Sequence, residues 1–117
     1  MKLTKYDLLK TAYASFNVRD IDPALAAMHP EVEWANGMEG GTVHGHQAVR
    51  AYWTRQWGLI NPHVEPLSFE EDAAGRVIVE VHQVVRDLGG TVIADRIVYH
   101  AYTFEKDLVR NMKIREP

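Results

Sequence analysis

One histidine on a long alternating segment has the residue type and the spacing for acid–base chemistry. His100 shares a strand face with four other side chains, those of Arg96, Val98, Tyr102 and Phe104. An imidazole that titrates near neutral pH can give or take a proton under physiological conditions. The same pattern fits a histidine in an amphipathic wall that bonds to a neighbour and does no chemistry. The sequence leaves both interpretations open.

A second group, His44-Gly-His46, has a spacing that a metal site could use. Alternate residues of an extended segment share a face, but a metal site needs a third ligand and groups that orient the ligands. The other histidines, His29, His63 and His82, lack ligand spacing, and the chain has no cysteine. We therefore predict no metal and no cofactor, and we assign His44 to ligand binding on the loop before the third helix.

Bulky aromatic residues frame a glycine-rich loop. Trp34 precedes the loop Gly37–Gly41, and the helix opened by Gly45 carries two more tryptophans. Large aromatic side chains around a flexible loop indicate a cavity for flat or apolar molecules. The side chains that we assign to its wall are Tyr13, Phe16, Trp34, Trp53, Trp57, Tyr102 and Met112. Aromatic residues at helical spacing also form ordinary core, which is the alternative for Phe16 and Trp53.

The composition fits one globular domain, residues 1–117. Hydrophobic residues make up 46% of the chain and charged residues 25%, which is enough for one core at this length. The net charge is −3, whereas a nucleic-acid binder typically carries a basic surface, so the composition does not indicate nucleic-acid binding. No apolar run reaches the ~20 residues of a membrane span. The N-terminus lacks the apolar core of a signal peptide, so we predict a cytoplasmic location with no membrane partner.

Three helices are predicted in the first half of the chain. Thr4–Phe16 has a capping threonine and an apolar stripe at helical spacing. The second helix starts at Asp22-Pro23 and ends after His29, because the residue before Pro30 disfavours the helical region. The third helix runs from Gly45 to about Trp57.

Five strands are predicted around these helices. Val32–Asn36 precedes the glycine loop, and the second half alternates in four further strands, Val64–Glu71, Arg76–Asp87, Thr91–Phe104 and Leu108–Arg115. This order predicts an α+β domain in which three helices pack on a strongly curved antiparallel sheet. The mixed outer face, with Ile97 and Tyr99, is typical of a dimer interface.

The element order and three short motifs resemble the NTF2-like superfamily, in particular its SnoaL-like, ketosteroid-isomerase-like branch. The motifs are Phe16-Asn17-x-x-Asp20-Ile-Asp22, Trp34 near the end of the first strand, and Gly45-x-x-Ala48-Val-Arg50. The resemblance implies a cone-shaped α+β barrel whose open pocket binds small, often hydrophobic molecules, in a homodimer packed through the sheet. It does not imply one activity, because members include isomerases, polyketide cyclases, epoxide hydrolases, dehydratases and non-enzymatic binders.

The catalytic positions of ketosteroid isomerases have changed in this chain. Where the resemblance places their general-base aspartate, the chain has Asn36, and an amide cannot accept a proton at useful pH. Where it places the oxyanion tyrosine, the chain has Ala12, with Tyr13 one residue further on. Where it places a protonated acid, the chain has His100. We therefore predict that the protein is not a ketosteroid isomerase.

The carboxylates of the limonene-epoxide-hydrolase pattern are also missing. Asp95 and Arg96 are neighbours on a strand and point to opposite faces, and the last strand has no carboxylate before Glu116. Glu39, on the glycine loop at the cavity rim, is the nearby carboxylate that could replace the missing base. A solvated loop acid is the alternative for this residue.

Two functions follow from these residues. The first is a cofactor-independent isomerase, cyclase or hydratase that acts on a small apolar carbonyl compound, with His100 as acid or base and with Asn36, Tyr13 and Glu39 assisting. The second is a non-catalytic dimeric ligand-binding module. The amide at position 36 favours the second, and the polar cluster of Asn36, His44 and His100 favours the first. The enzyme requires His100 within hydrogen-bond reach of Asn36 or Tyr13, directly or through one water.

Overall fold

Three helices and six strands make up residues 4–116, the part of the chain that the computed structural model describes. The helices are α1 (Lys5–Asn17), α2 (Ile21–Ala26) and α3 (His46–Trp57). The strands are β1 (Met28–Ala35), β2 (Thr42–His44), β3 (Asn61–Glu71), β4 (Val77–Arg86), β5 (Val92–Glu105) and β6 (Leu108–Arg115). This is the predicted α+β arrangement, with the helices packed on one curved sheet.

Helix α1 is fixed at both of its ends. The Thr4 hydroxyl accepts a hydrogen bond from the Asp7 amide at 3.1 Å, which is the predicted N-cap. At the other end, the Asn17 side chain donates to the Val64 carbonyl at 2.7 Å and accepts from the Val64 amide at 3.0 Å. This pair of bonds holds the helix against β3. Leu9 and Tyr13, at helical spacing, are thereby buried.

The six strands follow the order β2-β1-β6-β5-β4-β3. All neighbouring pairs are antiparallel, as predicted, except β1 and β6, which are parallel. The edge strands β2 and β3 are not paired with each other, and the sheet is curved but open rather than a closed barrel. Closure would require paired edges, and β2 gives way to α3 after only three residues.

The region between α2 and α3 differs most from the prediction. Helix α2 ends at Ala26, and β1 begins at Met28, so Pro30 lies inside a strand rather than after a helix. The β1–β6 register shifts between Met28 and Glu33, and a proline without an amide hydrogen is accommodated at such an irregularity. The three residues after the glycine loop form β2, a strand that the sequence pattern did not reveal.

The core lies between the helices and the inner face of the sheet. Val77, Val79 and Val81 of β4 are fully buried, so this alternating face of the strand points into the core. Leu9 of α1 and Val49 of α3 are buried in the same cluster. Within residues 4–116, no helix is long and apolar enough to cross a membrane.

Candidate functional site

A cavity of about 910 Å³ lies between the helices and the inner face of the sheet. Predicted site residues that line it are Tyr13, Phe16, Trp34, Asn36, Trp53, His100, Tyr102 and Met112. They come from α1, β1 and the loop that follows it, α3, β5 and β6, so the wall depends on elements from both halves of the chain. Aromatic rings form one part of its wall, with edge-to-face packing of Trp34 on Trp53 at 5.7 Å between ring centroids.

Three polar side chains form a short hydrogen-bonded group in this wall. The Tyr13 hydroxyl lies 2.7 Å from His100 Nδ1 and 2.7 Å from the Tyr102 hydroxyl. The Tyr102 hydroxyl is 3.5 Å from His100 Nδ1. All three residues are buried, with exposed fractions of 7% or less. The requirement that His100 reach Tyr13 is therefore met by a direct contact.

The number of donors in this group decides the tautomer of His100. The two hydroxyl hydrogens need two acceptors, and the group offers the hydroxyl oxygens and Nδ1. If Tyr102 donates to Tyr13, and Tyr13 donates to an unprotonated Nδ1, both hydroxyl hydrogens are satisfied within the group. A proton on Nδ1 would leave one buried donor without an acceptor. His100 therefore carries its hydrogen on Nε2, which has no hydrogen-bond partner among residues 4–116.

Burial keeps this group neutral at physiological pH. Desolvation lowers the pKa of His100 to about 4, because an imidazolium is poorly solvated in the buried wall. Burial also raises the pKa of Tyr13 and that of Tyr102 well above the ordinary value. Titration of His100 near neutrality, expected from the sequence, does not hold for this ring. A neutral imidazole with a free Nε2–H can polarise an oxygen atom without being charged.

Asn36 lines the cavity, but its amide builds the glycine loop. The Asn36 Oδ1 accepts from the backbone amides of Met38 at 3.2 Å and Glu39 at 2.7 Å. Its Nδ2 donates to Glu39 Oε1 at 2.9 Å. This arrangement is an Asx-type turn closed by the loop acid, so Asn36 fixes the position of the loop at the rim of the cavity.

Glu39 is held by a cation outside the cavity. Arg55 of α3 donates to its carboxylate at 2.7 Å and 3.3 Å. The hydrogen bond from Arg55, with a further one from Asn36, lowers the pKa of Glu39. Glu39 is not among the residues that line the cavity. A carboxylate with a lowered pKa is a weaker base, so the contacts favour a role for Glu39 in holding the loop.

Two residues predicted to bind ligand lie outside the cavity lining. His44 of β2 is mostly exposed and pairs with Glu31 at 2.9 Å. Trp57, in the last turn of α3, packs behind the wall against Phe16 at 5.4 Å between ring centroids, and the Arg19 guanidinium covers it. Neither residue lies at the cavity, because His44 of β2 is exposed beside Glu31 and Trp57 packs behind Phe16, whereas Gln56 in the same helical turn faces the cavity.

The two histidines of His44-Gly-His46 have separate partners. The His46 Nε2 lies 2.9 Å from the Met28 carbonyl oxygen, whereas His44 is paired with Glu31. Across residues 4–116, no group of three or more histidine, aspartate or glutamate side chains is arranged to hold a metal ion.

Several cavity residues were missed at the level of the sequence. Tyr52 and Gln56 of α3 are buried and line the cavity, with Gln56 Nε2 donating to the Tyr52 hydroxyl at 3.3 Å. Their spacing with Val49 and Trp53 marks the buried face of α3, and this signal could have found them. Arg96 also lines the cavity, whereas the adjacent Asp95 pairs with His82 at 2.7 Å, so the two neighbours point to opposite faces as expected.

Comparison with known proteins identifies the class to which this fold and cavity belong. The SnoaL-like domain family matches residues 9–112, which is most of the chain. The chain belongs to the SnoaL-like family, within proteins of NTF2-like fold. A search of curated proteins gave no significant match.

Solved structures support the same assignment. The chain is similar to TerC co-crystallised with polyporic acid, with 28% identity over 97% of this chain and 91% of that chain and a TM-score of 0.84. It is similar to an NTF2-like protein of unknown function from Burkholderia pseudomallei, with 26% identity, 99% and 92% coverage and a TM-score of 0.84. The fold is shared with Rv0760c from Mycobacterium tuberculosis, in complex with estradiol-17β-hemisuccinate, with 16% identity, 92% and 88% coverage and a TM-score of 0.77.

Proposed function

We propose that the protein binds a small, flat, largely apolar carbonyl compound and polarises its carbonyl oxygen through the Nε2–H of His100. The observation that carries this proposal is the Tyr102–Tyr13–His100 chain, whose two contacts of 2.7 Å leave Nε2–H unpaired in the cavity wall. In a largely apolar part of the wall, an unpaired donor favours ligands with a matching acceptor, because it otherwise stays unsatisfied.

The aromatic wall sets the shape of the proposed ligand. Trp34 packs at 5.7 Å from Trp53 and at 6.0 Å from Tyr102, so three large rings meet beside His100. Aromatic side chains in this arrangement grip flat molecules and leave few polar contacts. The volume of about 910 Å³ is within the range for small-molecule sites. The complex of TerC with polyporic acid supports a small-molecule ligand for this chain as well.

The chemistry that such a donor supports is enolate formation. When the C–H bond next to a carbonyl breaks, the proton passes to water and negative charge develops on the carbonyl oxygen. A hydrogen bond from His100 Nε2–H to that oxygen stabilises the charge. Isomerisation and cyclisation of carbonyl compounds can both proceed through an enolate, and neither requires a cofactor. We therefore favour a cofactor-independent isomerase or cyclase.

A non-catalytic ligand-binding module is the second candidate. It is favoured by the contacts of the two residues that could have supplied a base, because position 36 is an amide and Glu39 is held by Arg55 outside the cavity. Among the described residues that line the cavity, Glu116 is the one with a carboxylate. It pairs with Arg96 rather than with His100. The two candidates share the bound state and differ in whether the ligand loses a proton.

The test uses 2-tetralone, a flat apolar ketone with exchangeable hydrogens next to its carbonyl. Binding is followed by quenching of tryptophan fluorescence, and exchange of those hydrogens in deuterated water is followed by proton NMR. We expect His100→Phe to weaken binding about tenfold, which corresponds to one hydrogen bond in a buried site. The matched control is His82→Gln on the outer face, which should leave binding unchanged.

The outcomes separate the two candidates. Exchange accelerated by the protein and lost in His100→Phe supports the enzyme. Saturable binding that depends on His100 without accelerated exchange supports the binding module. Absence of saturable binding, or binding that His100→Phe leaves unaffected, would contradict the proposal.

We also propose that two copies pair through the outer face of β4 and β5. Ile97 and Tyr99 lie on this face with their side chains partly covered, beside the His82–Asp95 pair. A mixed polar and apolar surface of this kind suits an interface between two copies. A cytoplasmic location remains a prediction, and cell fractionation tests it.

A further inference from the structure

The cavity has one end that differs in chemistry from its aromatic wall. Arg96 lies on the inner face of β5, in phase with His100 and opposite Gln83 of β4. Arg96, Gln83 and Glu116 all line the cavity. Arg96 and His100 are four positions apart on β5, a spacing of about 13 Å along the backbone. The cavity therefore carries a neutral donor at one point of its wall and a cation at its mouth.

Arg96 is the cation that the inner face of the sheet presents to the cavity. Lys113 also borders the cavity, but its register partner is Ala101, which lies between the inward positions His100 and Tyr102. Alternation therefore directs the Lys113 side chain to the outer face, where it is exposed. Of these two cationic residues, Arg96 alone has a side chain placed to meet a ligand.

The guanidinium of Arg96 is held only loosely by the protein. Its ion-pair partner is Glu116, at 3.7 Å, which is beyond hydrogen-bond distance. No residue of the described range 4–116 accepts a hydrogen bond from Arg96. Both side chains are more than half exposed, so the pair is weak and readily exchanged. A planar guanidinium with free donors matches a carboxylate in a two-point contact.

We propose that Arg96 selects ligands that carry a carboxylate, which displaces Glu116 from the guanidinium at the cavity mouth. This inference rests on the proposed function and names its ligand class: elongated flat acids with an oxygen acceptor at the opposite end, facing His100. The aromatic wall between the two points holds the ring system. Glu116 competes with the ligand carboxylate for the guanidinium. A neutral compound leaves the ion pair of Arg96 and Glu116 in place, so Glu116 hardly affects its binding.

The test compares 4′-acetylbiphenyl-4-carboxylic acid with its neutral carboxamide. Both have the same rings and the same ketone for His100, and they differ in the group that meets Arg96. We expect the acid to bind wild-type protein about five- to tenfold more tightly, with a difference that shrinks as salt is added. Arg96→Gln should remove this advantage and weaken carboxamide binding much less than acid binding. Glu116→Gln should tighten acid binding about two- to threefold, since the competing carboxylate is gone.

Lys113→Gln is the matched control, because it removes one positive charge from the neighbouring strand without altering the inner face. It should change the affinity ratio of acid to carboxamide by less than Arg96→Gln at every salt concentration. Equal affinity of wild-type protein for the two probes, or equal effects of Arg96→Gln and Lys113→Gln, would overturn the assignment of Arg96. If the assignment of Arg96 fails in this way but carboxamide binding still depends on His100, the proposed function stands. Failure of both probes to bind contradicts both proposals.

Discussion

Replacing Tyr13 by phenylalanine removes the hydroxyl that joins Tyr102 to His100. Two hydrogen bonds of 2.7 Å are lost, and the nearest remaining acceptor for the Tyr102 hydroxyl is His100 Nδ1 at 3.5 Å. Each bond contributes roughly 0.5–1.5 kcal/mol, and a buried donor left unpaired adds about 1 kcal/mol or more. We therefore expect Tyr13→Phe to lower the free energy of unfolding by about 2–4 kcal/mol, measured by urea denaturation followed through tryptophan fluorescence.

Tyr102→Phe tests the direction of the same hydrogen-bond chain. It removes only the terminal donor, and Tyr13 can still donate to His100, so we expect a loss of roughly 0.5–1.5 kcal/mol. In the double variant no orphaned hydroxyl remains, so its loss should be smaller than the sum of the single losses.

Tyr99→Phe is the matched control for these variants, because its hydroxyl bonds to Glu80 at 3.3 Å on the outer face. We expect a change within about 0.5 kcal/mol. If Tyr102→Phe destabilised the protein as much as Tyr13→Phe, or if the double variant were additive, the donor order and the Nε2–H tautomer of His100 would be refuted.

Three further predictions concern pH, backbone conformation and assembly. The pKa of His100 is about 4 in the folded chain and 6.5 in the unfolded one, so the unfolded state binds the extra proton between these values. The free energy of unfolding, measured by urea denaturation, should be unaffected by this group above pH 6.5 and lower by on the order of 3 kcal/mol at pH 4. His100→Phe should not show this loss. Gly45, at φ +85° and ψ 163°, occupies a region that favours glycine, so Gly45→Ala should cost about 1–3 kcal/mol in the same assay. Gly58→Ala, at negative φ, is its control and should stay within about 0.5 kcal/mol. Sedimentation should find two copies at micromolar concentration, and Ile97→Glu should shift them to monomers, whereas a monomeric wild-type protein would contradict the proposed interface.

The alternating second half of the chain allowed its strands to be predicted, because a strand with one buried face carries its own pattern. The valines of β4, at Val77, Val79 and Val81, show this directly. The pairing of β1 with β6 could not be read in the same way, since it depends on residues about 80 positions apart. The three residues of β2, Thr42–His44, are too few for a period to be recognised.

The candidate site was predictable where a side chain follows the phase of its own element. His100 and Tyr102 lie two residues apart on β5, and both reach the cavity. The link of Tyr13 to His100 joins separate elements, so it entered the sequence analysis only as a condition that an enzyme would have to meet. The ion pair of Glu39 with Arg55 was missed because it joins a loop to the exposed side of a helix. The pKa of His100 also depends on its burial, which no local pattern reports.

The parallel pairing of β1 with β6 has a consequence for synthesis of the protein. Trp34 of β1 and Met112 of β6 are register partners and both line the cavity. During translation, β1 leaves the ribosome long before β6 exists, so its neighbour in the finished sheet is missing. Such long-range pairing is slow and leaves intermediate states exposed. The cavity can therefore be completed only after β6 has emerged. Until then, the edge of β1 that faces β6 in the finished sheet stays unpaired.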